Sequence, residues 1–142
     1  MTINWLTESV EFPEVVEKSI VEPWLAKVAE TYGKIPGRLT YIFTDDEGIL
    51  KVNREFLQHD YYTDIITFDY SKRGMVSGDI YISLDTVATN AEQFGQNPVR
   101  ELHRVIAHGM LHLCGINDKG PGEREIMEQH ENAALEMLAE ML

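Results

Sequence analysis

Three side chains in one short run carry the chemistry of this sequence: His108, His112 and Asp118, within His108-Gly109-Met110-Leu111-His112-Leu113-Cys114-Gly115-Ile116-Asn117-Asp118. On a helix, a step of four residues turns a side chain by only ~40°, so both imidazoles leave on one face, one turn apart. That spacing lets two ring nitrogens reach one zinc at ~2.0–2.1 Å. Gly115 tolerates the left-handed backbone that ends a helix and turns the chain back. Asp118 then offers a carboxylate as a third ligand to the same ion. Three protein ligands with an open fourth position make a catalytic metal centre rather than a structural one.

The chain holds five histidines, so a spacing of four is weak by itself. Its setting adds weight. Leu102, Val105, Ile106, Gly109, Met110 and Leu113 form one apolar stripe, widened by Ala107, Leu111 and Cys114. A segment apolar nearly all round is a buried helix. Two imidazoles on it need partners, either a shared metal or hydrogen bonds within the core. The position after His108 separates two metal chemistries. A zinc peptidase of the HExxH type carries its general base there, whereas this chain has Gly109. What remains is a hydrolase in which the ion itself activates water, lowering its pKa to ~7. On a phosphodiester the same ion would offset phosphoryl charge, and a nearby cation would stabilise the transition state.

The elements that must position these groups follow from pattern. Residues 2–6 read as a short strand. Residues 14–33 read as a helix, with Val16, Ile20, Trp24 and Val28 inward and Gly33 as its stop; Pro23 is expected to break or kink it. Residues 39–44 are rich in β-branched and aromatic types and read as a strand. Asp45 and Asp46 cap a helix over 46–57. Residues 64–70 and 78–83 make two more strands, joined through Ser71-Lys72-Arg73-Gly74 as a hairpin with a basic tip. A helix over 84–94 ends at Gly95 and buries Val87, Ala91 and Phe94. Asn97 and Pro98 open the metal helix as N-cap and first-turn proline. After the loop 119–122, residues 123–141 make an acidic amphipathic helix with Met127, Ala134, Leu138 and Met141 inward. The expected fold is α+β: one domain over residues 1–142, with a small four-stranded mixed sheet packed with about five helices.

A chain of 142 residues suffices for one domain with a sizeable core. Its 44% hydrophobic and 25% charged content is ordinary for a globular protein. With no apolar run near 18 residues and no signal-peptide pattern, the expected location is cytoplasmic. The single cysteine, Cys114, excludes an internal disulfide and reads as a small core residue. A net charge of −12 argues against a strongly basic nucleic-acid binder and for weak nonspecific binding of RNA. Most of that charge, however, lies in residues 1–34 and 121–142. The middle of the chain includes Arg38, Lys51, Arg54, Lys72, Arg73, Arg100 and Arg104, several of which folding could gather at one place.

The sequence resembles the YbeY family, metal-dependent endoribonucleases that act as ribosomal RNA maturation factors. The likeness runs from about residue 39 to the C-terminus and rests on three motifs in order: Thr63-Asp64-Ile65-Ile66-Thr67-Phe68, Gly78-Asp79-Ile80, and His108 through Gly115. It implies a sheet with a central metal helix and one Zn2+ per chain. It also implies cleavage of single-stranded RNA in late small-subunit (16S) rRNA maturation, 3′-end processing and ribosome quality control. The partners it implies are single-stranded rRNA, the small ribosomal subunit and assembly factors, with no membrane and no DNA.

Two positions depart from the family pattern. The family's third histidine falls on Asp118, and its preceding aspartate on Asn117. A carboxylate is a competent zinc ligand, but it lowers the charge of the site and lets other divalent metals compete. An arginine that the family carries in an LNxxYR-like segment falls on Leu57. The candidates to supply that cation are His59, Arg54 and the loop pair Lys72 and Arg73, each otherwise a solvated surface charge. His59 and Arg54 are the expected catalytic residues, His59 because it leads into the strand at 64–70. Asp64 and Asp79 are expected to cap backbone N–H groups at strand starts, and His103 and His130 to lie exposed on helix surfaces. Two other functions fit the same residues: a ribosome-assembly binding factor with a structural metal, and a metallohydrolase of another phosphoester.

Overall fold

Four strands, β1 (Thr2–Thr7), β2 (Ile35–Thr44), β3 (Ile65–Asp69) and β4 (Met75–Ser83), form one mixed sheet in the order β1-β2-β4-β3. The pairs β1/β2 and β2/β4 are parallel and β3/β4 is antiparallel. Five α-helices pack with it: α1 (Lys18–Thr31), α2 (Asp46–Val52), α3 (Leu84–Gln93), α4 (Pro98–Leu113) and α5 (Glu123–Met141). These are the elements of the described residues, 1–58 and 63–142, of the computed structural model. The α+β architecture is thus the one expected.

Alternation along the strands decides what covers each face. Leu39, Tyr41 and Phe43 of β2 and Val76, Ile80 and Ile82 of β4 belong to the main core with α1, α4 and α5. On the other face Ile66, Phe68 and Tyr81 meet Ile49 and Val52 of α2. Polar tips inside the main core are satisfied, as buried aromatics require. The Tyr41 hydroxyl donates to the Ile106 carbonyl at 2.8 Å, joining sheet to α4. Trp24 Nε1 donates to the Ala134 carbonyl at 2.7 Å, joining α1 to α5.

Two glycines seat α4 on the sheet. A Cβ on Gly109 would stand 2.9 Å from Ile80 Cγ2 and 3.3 Å from Ile65 Cδ1, and one on Gly78 would stand 2.9 Å from Leu113 Cδ2. The absence of a side chain at both positions lets helix and strand approach. At its start α4 carries the expected cap: Asn97 accepts from the N–H groups of Val99 at 2.9 Å and Arg100 at 3.2 Å, and Pro98 follows. At its end the N–H of Ile116 bonds the Leu111 carbonyl and that of Gly115 the His112 carbonyl, with Gly115 at φ +94°. That is a Schellman turn. It points the chain toward Asp118.

Several boundaries differ from the expected ones. The first helix starts at Lys18, not 14, and runs through Pro23 without ending. The proline removes one donor opposite solvent-exposed Ser19, while Trp24, Leu25, Val28 and Ala29 are buried on the inward face. β2 and β4 begin earlier than 39 and 78, because Pro36 and Gly37 form an irregular paired step rather than a loop, with a register shift between Pro36 and Leu39. The helix expected over 46–57 is α2 followed by a π-helical turn, Asn53–Leu57. The hairpin turn is as expected, with Arg73 and Gly74 both at positive φ, the conformation that a two-residue turn of type I′ demands. Phe94 does not face the core: it is 65% exposed.

Candidate metal centre

Helix α4 delivers His108 and His112 one turn apart, and the Schellman turn returns the chain so that Asp118 faces both. Asp118 Oδ2 lies 3.3 Å from His108 Nε2 and 3.5 Å from His112 Nε2. One ligand atom from each of the three falls within 4.8 Å of the others. Two atoms bonded to one zinc at ~2.0–2.1 Å and tetrahedral angles stand ~3.4 Å apart. The observed separations match that value and exceed the ~2.7–2.9 Å of a charge-assisted hydrogen bond. Asp118 Oδ1 is buried without a hydrogen-bond partner, a cost that a cation at the carboxylate would remove. The donor set of two imidazoles and one carboxylate suits zinc, so the residues present fit the ion.

Behind the ligands stands a second set of groups. His108 Nδ1 bonds Glu131 Oε2 at 2.5 Å, and the other oxygen of Glu131 accepts from Arg104 Nη1 at 3.0 Å. Arg104 Nη2 donates in turn to Asn132 Oδ1 at 2.9 Å. A carboxylate on Nδ1 fixes the tautomer and leaves the Nε2 lone pair for a metal. The same bond governs the proton. Burial alone would depress His108, but the hydrogen bond and charge of Glu131, helped by Asp118 and Asp64, raise it above the usual histidine range. His112 is lowered by burial and by the charge of His108, against the pull of Asp118. Asp118, Glu131 and Asp64 face one guanidinium, Arg104, and their excess of negative charge is what holds the His108 proton. A divalent cation bound at Nε2 would take the place of that proton.

These groups open into a cavity of about 890 Å³, lined from α4 by Arg104, His108 and His112, from β3 by Ile65 and Thr67, and from the segments before and after by Asp64, Asp118 and Lys119. Asp64, just before β3, accepts from its own backbone N–H, as expected of a strand-start cap, and from the Thr63 hydroxyl at 3.5 Å. Its carboxylate turns into this cavity, where burial raises it above the usual carboxylate range against the opposing charge of His108. Asp79 lies within β4 and accepts from the Tyr70 hydroxyl at 3.2 Å, outside the cavity.

The structure brings together the three expected ligands and sets Arg54, one of the two expected catalytic residues, apart from them. Arg54 lines a different groove, with Glu8, Asp45 and Lys51. Lys72 and Arg73 sit at the β3–β4 hairpin tip, also outside the cavity lining. His59 lies outside the described residues. Leu57, where the resemblance puts an arginine, does line the cavity, and the cations that join it there are Arg104, Lys119 and Arg124. His103 and His130 are half-buried rather than exposed. His103 stands edge-on to Trp24 at 6.0 Å, and His130 shares a 2.7 Å hydrogen bond with the Tyr32 hydroxyl. Cys114 is buried in the core, its thiol pushed up to about 11 chiefly by burial, and it takes no part in the ligand cluster.

Glu131 escaped the sequence reading, although a signal for it exists. It falls in step with Met127, Ala134 and Leu138 on the inward stripe of α5, where a charge has no place without a partner. Arg104, four residues before His108, is that partner on α4.

Comparison with known proteins gives a consistent result. The family model described as Endoribonuclease YbeY matches residues 3–139. The Endoribonuclease YbeY of Parabacteroides distasonis is 60% identical over 140 residues, covering 99% of this chain and 98% of that one. That of Bacteroides thetaiotaomicron is 61% identical over 137 residues, covering 96% and 99%. Among solved structures, the solution structure of TM1509 from Thermotoga maritima superposes with a TM-score of 0.68 at 24% identity, covering 96% of this chain and 89% of that one. That likeness speaks for the fold.

Proposed function

The chain belongs to the YbeY family of endoribonucleases, and on that premise we propose that it is a zinc-dependent, single-strand-specific endoribonuclease acting in the cytoplasm on small-subunit (16S) rRNA, in late 3′-end maturation and ribosome quality control. The observation that carries the reading is the triad His108, His112 and Asp118 at ligand-to-ligand spacing, set in a cavity of about 890 Å³.

Bound there, zinc supplies Lewis acidity that lowers the pKa of water and offsets charge on a phosphoryl oxygen. His108 and His112 would hold it through Nε2 and Asp118 through a carboxylate oxygen. Glu131 keeps the His108 proton on Nδ1, and Arg104 holds Glu131 in place. Asp64, in the cavity wall with its pKa raised chiefly by burial, is the carboxylate suited to take and return a proton at the reacting centre. Lys119 and Arg124 bring positive charge to the cavity wall, which phosphates flanking the scissile bond require. They take the part once expected of Arg54. The small ribosomal subunit and its assembly factors would present the RNA.

Zinc content and cleavage of a single-stranded oligoribonucleotide, measured side by side on wild type and His112→Ala, test this reading. It expects one zinc per wild-type chain and cleavage, with both lost in a variant that still folds. A wild type that takes up no metal, even with zinc supplied, overturns it. One observation favours the second reading, an assembly factor with a structural metal: Leu57 stands in the cavity where a cation would serve catalysis. On that reading His112→Ala loses its fold together with its metal.

A further inference from the structure

Helix α3 ends in the same manner as α4. The N–H of Gln96 bonds the Ala91 carbonyl at 2.8 Å and that of Gly95 the Glu92 carbonyl at 3.3 Å, with Gly95 at φ +64°. This Schellman turn fixes the backbone of Phe94, the residue at its corner. The side chain nevertheless stays out of the core, and among the described residues it contacts no other aromatic ring. It lines the cavity that holds the metal triad. Asn90 and Gln96 line that cavity too, and neither side-chain amide makes a hydrogen bond among the described residues.

An exposed aromatic face on a fixed backbone, with two unpartnered planar amides beside it, has the chemistry of a nucleobase site. Aromatic rings stack on unpaired bases. Amides carry both donor and acceptor and can meet a base edge. A protein helix would need a wider apolar surface, whereas Phe94 shares its cavity with the polar Asn90, Gln96 and Glu101. We infer that Phe94, Asn90 and Gln96 form a subsite for one unpaired base of the RNA substrate, beside the scissile phosphate. The subsite rests on the endoribonuclease reading and adds a reason for strand preference. A base already stacked in a duplex cannot occupy it, so a paired strand loses this contact.

The test uses zinc-loaded wild type, Phe94→Ala and Phe94→Trp with a labelled single-stranded oligoribonucleotide, intact or carrying one abasic nucleotide moved through its length. Binding is followed by anisotropy and cleavage by kcat and KM. Phe94→Ala should raise Kd and KM about tenfold, the order expected for one base–aromatic stack, with kcat within about twofold. Phe94→Trp should restore both. In wild type one abasic position should cost about as much as Phe94→Ala does, and that penalty should vanish in Phe94→Ala. An unchanged Kd in Phe94→Ala, or an abasic penalty that persists there, overturns the subsite. If wild type binds RNA but cleaves none, the nuclease reading fails, and the anisotropy arm still decides the subsite. Phe94 is exposed, so thermal unfolding of Phe94→Ala should match wild type and confirm that only the site has changed.

Discussion

The two flanks of the metal cleft are built on opposite terms. On the α5 side the groups that support the metal ligand are partnered with one another: Glu131 divides its oxygens between His108 and Arg104, and Arg104 divides its nitrogens between Glu131 and Asn132. On the α3 side Phe94 is exposed and the amides of Asn90 and Gln96 are unpartnered among the described residues. The first flank is closed upon itself, so it holds a ligand in one orientation. The second is open, so its unused valences face whatever enters. Rigidity lies where the metal must be placed, and adaptability where a substrate of variable sequence must be received.

That contrast can be broken by mutation, and the expected losses fall in order. Asp118→Ala removes a ligand from the closed side. Zinc per chain should drop to near zero by elemental analysis, and cleavage should fall by more than the ~100-fold that bounds an outer contact. Glu131→Gln keeps the shape of the support but removes its charge. Zinc affinity, measured by competition with a chromogenic chelator, should weaken about 10–100-fold. The joint variant Lys119→Ala/Arg124→Ala leaves the metal untouched. RNA binding should weaken, and the slope of log K against log salt should become shallower by ~1.4, two single-strand phosphate contacts at ~0.7 each. If the slope does not change, those cations do not meet phosphate.

The smallest effect lies away from both flanks and serves as their control. Burial lowers the pKa of His103, against the hydrogen bond to the Val99 carbonyl. The unfolded chain therefore takes up a proton at this site first as pH falls through about 6.5. Stability present above that pH is lost on acidification, down through the lower folded value. His103→Gln should lose less stability than wild type between pH 7.5 and 5.5, by urea midpoint, with zinc content unchanged. Equal losses would remove His103 from the account of acid sensitivity.

The ligands were legible because their positions follow local rules: a step of four on a helix and a glycine to reverse the chain. Their support was harder to see. Glu131 is one charge on an acidic helix, and only its phase with Met127, Ala134 and Leu138 marks it as inward. Arg54 looked equivalent to other cations in sequence. The π-helical turn over Asn53–Leu57 widens the helical step there, and the structure sets Arg54 and Leu57 toward different cavities. Phe94 failed for another reason. It keeps the helical phase of Val87 and Ala91, but α3 stops at Gln93, and the following residues through Arg100 run along the surface. His130 gained its place from Tyr32, a partner 98 residues away that no local pattern reports.

Gly109 bears on how such a site can change over time. Glycine and glutamate codons can differ by one base, so a peptidase-like His-Glu-x-x-His sequence can be a single substitution at Gly109 away. That step is closed by the packing beneath the helix. Any side chain at 109 must first displace the branched ends of Ile80 and Ile65. Trimming those two residues leaves a void under α4 unless position 109 grows at the same time, so each order of events passes through a less stable intermediate. The sheet beneath the helix thus holds position 109 to glycine.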